Sequence, residues 1–181
     1  MATETPPSGA HQRIEGPSPW VERFAGLVPA GGKVIDLACG GGRHGRLFLA
    51  LGHEVTFLDA DVSGVEDLRD HDRVEIVAAD LEAGGPWPLA GRSFAGVVVA
   101  NYLWRPILPD IVALVAPGGV LIYETFAEGN ERFGRPRNPD YLLRPGELKA
   151  AIEGSLTMVD YEHREVEDPR PAVVQRIAAT R

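Results

Sequence analysis

The sequence predicts an α/β fold in which a mostly parallel sheet is covered by helices on both faces. Three observations carry this. From Lys33 onward, short apolar runs alternate with helical stretches, the pattern of right-handed βαβ units and a parallel sheet. Runs such as Val97-Val98-Val99 are apolar on both faces, as expected of strands covered on both sides. A glycine cluster joins the first apolar run to the first helical stretch, where a sharp turn brings main-chain N–H groups to the carboxyl edge of such a sheet.

The elements follow in order. Residues 1–17 are polar, Pro-rich and without periodicity, so they are expected to be a disordered tail, leaving 18–181 as one domain. Pro19 opens a short amphipathic segment with Trp20, Phe24, Leu27 and Val28 at helical spacing. Residues 34–37 form the first strand, and residues 43–51 a helix stopped by Gly52. Residues 54–58 form the second strand, followed by a short helix with Ser63 and Glu66 at capping-box spacing. The third strand covers residues 74–78 and the fourth 94–100. Pro109 begins a helix through Val115, and Pro117-Gly118-Gly119 turns the chain into a fifth strand, residues 120–124. A helix over about 145–153 precedes two strand-like runs, 156–166 and 172–180. No helical crossover separates these two, so they are expected to form a C-terminal antiparallel hairpin, giving seven strands in all.

Bulk properties narrow the classes of function. A chain of 181 residues suits one domain. A net charge of −8 disfavours non-specific binding to phosphate backbones. One cysteine, Cys39, excludes an intramolecular disulfide and fits a cytoplasmic protein. No apolar stretch reads as a signal peptide or a membrane span.

The segment Val34-Ile35-Asp36-Leu37-Ala38-Cys39-Gly40-Gly41-Gly42-Arg43-His44-Gly45 carries the most chemistry. Gly40, Gly42 and Gly45 satisfy the dinucleotide-binding spacing G-x-G-x-x-G. Asp59, 19 residues after Gly40 at the end of the second strand, is placed to accept both hydrogen bonds of a ribose diol. That spacing fits a nicotinamide dinucleotide and S-adenosylmethionine equally. Three features separate them. Asp36 lies inside the strand, where dinucleotide binders normally have an apolar residue, and it suits a cationic amino group. Asp80 closes the third strand, where an adenine amino group has a donor to offer. The length leaves no room for the separate substrate domain of most nicotinamide dehydrogenases.

Residues 34–42, with Val55-Thr56-Phe57-Leu58-Asp59 and Ala79-Asp80-Leu81, resemble the class I S-adenosylmethionine-dependent methyltransferases. The resemblance runs from about Pro17 to the end and implies a Rossmann-like seven-stranded sheet. Within the family, the Asp-Leu-Ala-Cys-Gly wording is most similar to the tellurite-resistance and thiopurine-type small-molecule branch. It implies that Asp36, Ala38, Gly40 and Gly42 line the methionine end of the cofactor, with Cys39 in the same loop. Asp59, followed by Ala60, holds the ribose, and Asp80 with the Leu81 backbone holds the adenine. Ala38 stands where the family's first glycine often sits. The residue ending the fourth strand lies beside the sulfonium in this family, which singles out Asn101.

The acceptor is less legible. Methyl transfer needs alignment with the S–CH3 bond and exclusion of water. A soft nucleophile requires no base, whereas an oxygen or nitrogen acceptor gains from one. Asn101, Tyr102 and Arg105 are the candidate catalytic residues, Tyr102 and Trp104 as pocket walls or as cover for the sheet edge, and Arg105 to neutralise an anionic acceptor. About 20 residues separate the fifth strand from the next helix, far more than such connections usually hold. Its arginines (Arg132, Arg135, Arg137, Arg144) either recognise a substrate anion or pair with Glu128, Glu131 and Asp140. His11, His44, His53, His71 and His163 show no metal-ligand spacing, and no metal is expected. A small-molecule acceptor is the leading expectation. RNA or protein methylation, a non-catalytic cofactor-binding subunit and a nicotinamide dehydrogenase are the alternatives.

Overall fold

The computed structural model describes residues 16–181. The expected tail therefore lies outside the described residues, apart from Gly16 and Pro17. Among the described residues, four α-helices surround a seven-stranded sheet. The helices are α1 (Pro19–Ala25), α2 (Arg43–Ala50), α3 (Leu108–Ala113) and α4 (Glu147–Ile152). The strands are β1 (Lys33–Leu37), β2 (Glu54–Asp59), β3 (Val74–Ala78), β4 (Phe94–Ala100), β5 (Val115–Phe126), β6 (Thr157–Val166) and β7 (Ala172–Thr180). No helix among these residues is long and apolar enough to cross a membrane.

The sheet order is β3-β2-β1-β4-β5-β7-β6. The first five strands are parallel, and β7 runs antiparallel between β5 and β6. This is the predicted Rossmann-like sheet with its C-terminal antiparallel pair. Because side chains alternate across a strand, Ile35 and Leu37 face one helical layer and Val34 and Asp36 the other. α3 and α4 pack Ile111, Val112, Leu148 and Ile152 over the first face. α1 and α2 pack Trp20, Phe24, Phe48 and Leu49 over the second, each such side chain contributing roughly 1.5–3 kcal/mol of burial.

Local differences from the sequence reading have local causes. α1 stops at Ala25, so Leu27 is exposed while Val28 still reaches the core. Ser63 does not cap a helix: residues 63–68 form a 3-10 turn, with Asp61 Oδ1 accepting from Ser63 N and Glu66 paired with Arg69. α3 ends at Ala113, and Val115 already pairs with Phe94, because Pro117-Gly118-Gly119 forms an irregularity within β5 rather than a turn before it.

The chain leaves β1 toward β2 on one side and returns to β4 on the other, so the order reverses between β1 and β4. Open α/β sheets bind ligands in the crevice outside the carboxyl ends of the strands at such a switch point.

Candidate functional site

Two residues mark the crevice. Ala38 follows β1 and Asn101 follows β4, each with φ of 56°, the only non-glycine residues with positive φ among those described. A left-handed residue with a Cβ costs about 1–2 kcal/mol, and both lie at the ends of adjacent strands. The Cys39 N–H donates to Leu58 O at 3.0 Å and ties the loop to β2. The Asp59 carboxylate completes the cradle: Oδ2 accepts from Gly40 N at 2.8 Å and Oδ1 from Asp61 N at 3.1 Å. Each oxygen keeps a further lone pair for a ligand hydroxyl.

The glycines divide by role. A side chain at Gly40 or Gly41 would meet nothing within 4 Å, so this part of the loop is open to a ligand. Gly42 and Gly45 face the other way. A Cβ on Gly42 would lie 2.5 Å from Val65 Cγ1, and one on Gly45 2.2 Å from Phe57 Cε1. Gly42, expected to line the ligand, is buried beneath the loop, and the second half of the glycine pattern serves helix-on-strand packing.

Asp36 is buried under α2, where Oδ2 accepts from the Gly45 N–H at 2.7 Å. Burial pushes its carboxyl up to about 7, with the Gly45 N–H and the nearby Arg43 guanidinium pulling the other way. Cys39 is buried, and burial beside Asp36 and Asp59 pushes its thiol up, which makes it inert. His44 is also buried, its imidazole held down at about 3 by desolvation. Among the described residues no group of three or more His, Cys, Asp or Glu side chains comes together as a metal site.

Asp80 and Ala60 are exposed beyond the ends of β3 and β2, and Leu81 is half-buried against the core. Tyr102 belongs with this group rather than with the acceptor wall. Its hydroxyl is buried near the Glu82 and Asp80 carboxylates without a satisfying hydrogen bond, and burial and those charges push its pKa up.

Arg105 departs furthest from expectation. Its guanidinium grips Glu147 with two hydrogen bonds of 2.6 and 2.9 Å and donates to the Asp140 and Leu142 carbonyls. Four of its five N–H donors hold α4 and the long loop to the end of β4, so it is a structural clamp. The loop itself is pinned by buried Ala127, Asn130, Leu142 and Leu143, Asn130 Oδ1 accepting from Val173 N. Arg132 pairs with Glu165 of β6, not with an acid of its own loop. Neither Arg132 nor Arg135, Arg137 or Arg144 reaches the cleft described next.

Beside Asn101 the sheet edge opens into a cleft of about 310 Å³. Its walls are Pro17–Pro19, Phe126 and the Val166–Ala172 connection between β6 and β7, and its charged side chains are Arg43, Glu124, Asp168, Arg170 and Arg176. Trp104 is packed against the core and does not enter it. Sequence reasoning passed over Arg43, Glu124 and Arg176. An arginine in the middle of the apolar run Ala172–Thr180 was the available signal, since a buried cation requires a carboxylate. Its partner depended on the antiparallel register, which sets Arg176 opposite Glu124, 3.0 Å from Arg176 Nε to Glu124 Oε2.

Residues 34–119 match a model of the methyltransferase domain family. Residues 34–119 are thus similar to a methyltransferase domain, over just under half of the chain. A curated relative, the malonyl-[acyl-carrier protein] O-methyltransferase of Salmonella typhimurium, is 30% identical over 102 residues. The chain spans about 40% of that relative's length and the match covers 54% of this chain. Solved structures share the fold of the methyltransferase domain at low identity. TehB from Haemophilus influenzae superposes with a TM-score of 0.67 at 18% identity, over 90% of this chain and 61% of that one. A TehB-like methyltransferase from Corynebacterium glutamicum gives 0.64 at 20% identity, over 94% and 90%. The 1,6-didemethyltoxoflavin N1-methyltransferase of Burkholderia thailandensis, solved with that substrate and S-adenosylhomocysteine, gives 0.67 at 21%, over 89% and 76%.

Proposed function

We propose that residues 18–181 act as one S-adenosylmethionine-dependent methyltransferase domain whose acceptor is a small organic molecule. The observation that carries this reading is the open cleft at Asn101, immediately beside a glycine loop with the cofactor-type acids around it. The cofactor supplies an activated methyl group on a sulfonium. Asp36, the open backbone at Gly40 with Ala38 and Cys39 in the same loop, and the Arg43 cation suit the amino and carboxylate groups of its methionine end. Asp59 and Ala60 suit the ribose, and Asp80, Leu81 and Tyr102 the adenine. Asn101 stands between loop and cleft, where the methyl group would point at an acceptor.

The cleft also weighs between the alternatives. A pocket filled by Trp104 or Phe126 would favour a non-catalytic subunit, but Trp104 is absent from it and Phe126 only forms a wall. A basic groove along Arg132–Arg144 would favour RNA, but those arginines lie away from the cleft in a protein of net charge −8. A volume near 310 Å³ is at the lower end of the range for small-molecule sites. Thermal-shift measurements with S-adenosylmethionine, S-adenosylhomocysteine and NAD test the reading. The first two should raise the melting temperature by mass action, and a shift with NAD alone would overturn it.

A further inference from the structure

The charged side chains of the cleft differ in how far they are already committed. Arg176 faces Glu124 and, at 3.4 Å, Glu162. Arg43 donates to Gly16 O on the glycine-loop side. Arg170 and Asp168 belong to the outer wall, Arg170 with its guanidinium 5.6 Å over the Phe126 ring. Glu124 is different. It is only 6% exposed yet lines the cleft, and it ends the β5 segment paired with Ala100, so its backbone carbonyl accepts from Asn101 N at 2.9 Å. Oε2 lies 3.0 Å from Arg176 Nε as an ion pair without hydrogen-bonding geometry, and neither carboxylate oxygen has a hydrogen-bond partner among the described residues. A nearly buried carboxylate that lines the cleft therefore keeps acceptor capacity beside Asn101.

We propose that the acceptor carries its nucleophile as an N–H or O–H group on an apolar body, and that Glu124 Oε1 accepts the hydrogen bond from that group. This deepens the methyltransferase reading and rests on it. A carboxylate at this point orients the lone pair of a protic nucleophile toward the methyl carbon, a role that a thiolate or an inorganic oxyanion, having no proton to donate, does not call for. Arg176 supplies the counter-charge that lets the carboxylate stay buried. As the new C–N or C–O bond forms, the S–CH3 bond breaks with its electron pair returning to sulfur. The proton leaving nitrogen or oxygen passes to Glu124 and from there to solvent through the cleft. The apolar walls at Phe126, Val166, Pro169 and Val174, and a volume far larger than a small oxyanion, fit an organic ring system.

The test compares two probes that differ in a single donor, benzimidazole and 1-methylbenzimidazole. Each is titrated calorimetrically into the full chain saturated with S-adenosylhomocysteine, with sodium benzoate and tellurite as anionic controls. A hydrogen bond to a charged group predicts that benzimidazole binds about tenfold or more tightly than its methyl analogue. Glu124→Gln, checked for folding by its melting curve, should bring the two within about threefold. The wild-type comparison stands even where that variant fails to fold. Equal binding of the two probes, failure of both to bind, or tighter binding of benzoate or tellurite overturns the proposal. Failure to bind S-adenosylhomocysteine at all would instead strike the methyltransferase reading, and this proposal with it.

Discussion

Asp36→Asn separates what the fold needs from what the site needs. The wild-type carboxyl is buried, and its pKa rises from 3.8 to about 7. A group raised in the folded state stabilises the fold while protonated, and that contribution is lost as pH climbs from about 4 to about 7. Roughly three pH units at 1.36 kcal/mol each set the penalty at pH 8 near 4 kcal/mol, as an upper bound. Asparagine is uncharged, keeps the shape, and offers Oδ1 to the Gly45 N–H that now reaches Asp36 Oδ2 at 2.7 Å. The variant should therefore be more stable than wild type at pH 8 by about 2–4 kcal/mol, the difference shrinking toward zero near pH 4. Urea unfolding at a series of pH values measures this directly. The same change should weaken S-adenosylhomocysteine binding more than about tenfold by removing the partner of its amino group. A variant less stable than wild type at pH 8 would refute the reasoning, because the carboxylate would then be paired in the free protein.

Three further substitutions divide site from scaffold. Asp59→Ala should lower cofactor affinity by about 1.5–3 kcal/mol in calorimetry, while its melting curve shows the domain still folded. Arg105→Ala should cost about 2–4 kcal/mol in denaturant unfolding, since Glu147 and two carbonyls lose their donor, and leave cofactor affinity within about twofold. Gly45→Ala should destabilise by about 1–3 kcal/mol despite a better helix former, because the methyl group would meet the Phe57 ring at 2.2 Å.

The parts of the fold legible in the sequence were those written in local periodicity. Strand β4 was fully specified by a doubly apolar run, and the cofactor-type edge by glycines and acids spaced along consecutive strands. Gly42 and Gly45 were ambiguous, because a motif counts glycines without saying whether the missing side chain makes room for a ligand or for a neighbouring ring. Arg105 was read as a free cation beside the chemistry, although its partner Glu147 lies 42 residues away. Glu124 went unnoticed for the same reason: its partner Arg176 is set by cross-strand register, and register depends on how β7 inserts between β5 and β6. Tyr102 was placed at the correct strand end, but nothing in the sequence says which way its ring turns.

A crystal structure with S-adenosylhomocysteine tests the central claim most directly. The ligand should span the switch point, its amino group toward Asp36, its ribose hydroxyls on Asp59 and its adenine at Asp80 and Leu81. Its sulfur should face the cleft between Asn101 and Glu124. A ligand bound elsewhere, or one whose sulfur points away from that cleft, would contradict the assignment of this site to methyl transfer.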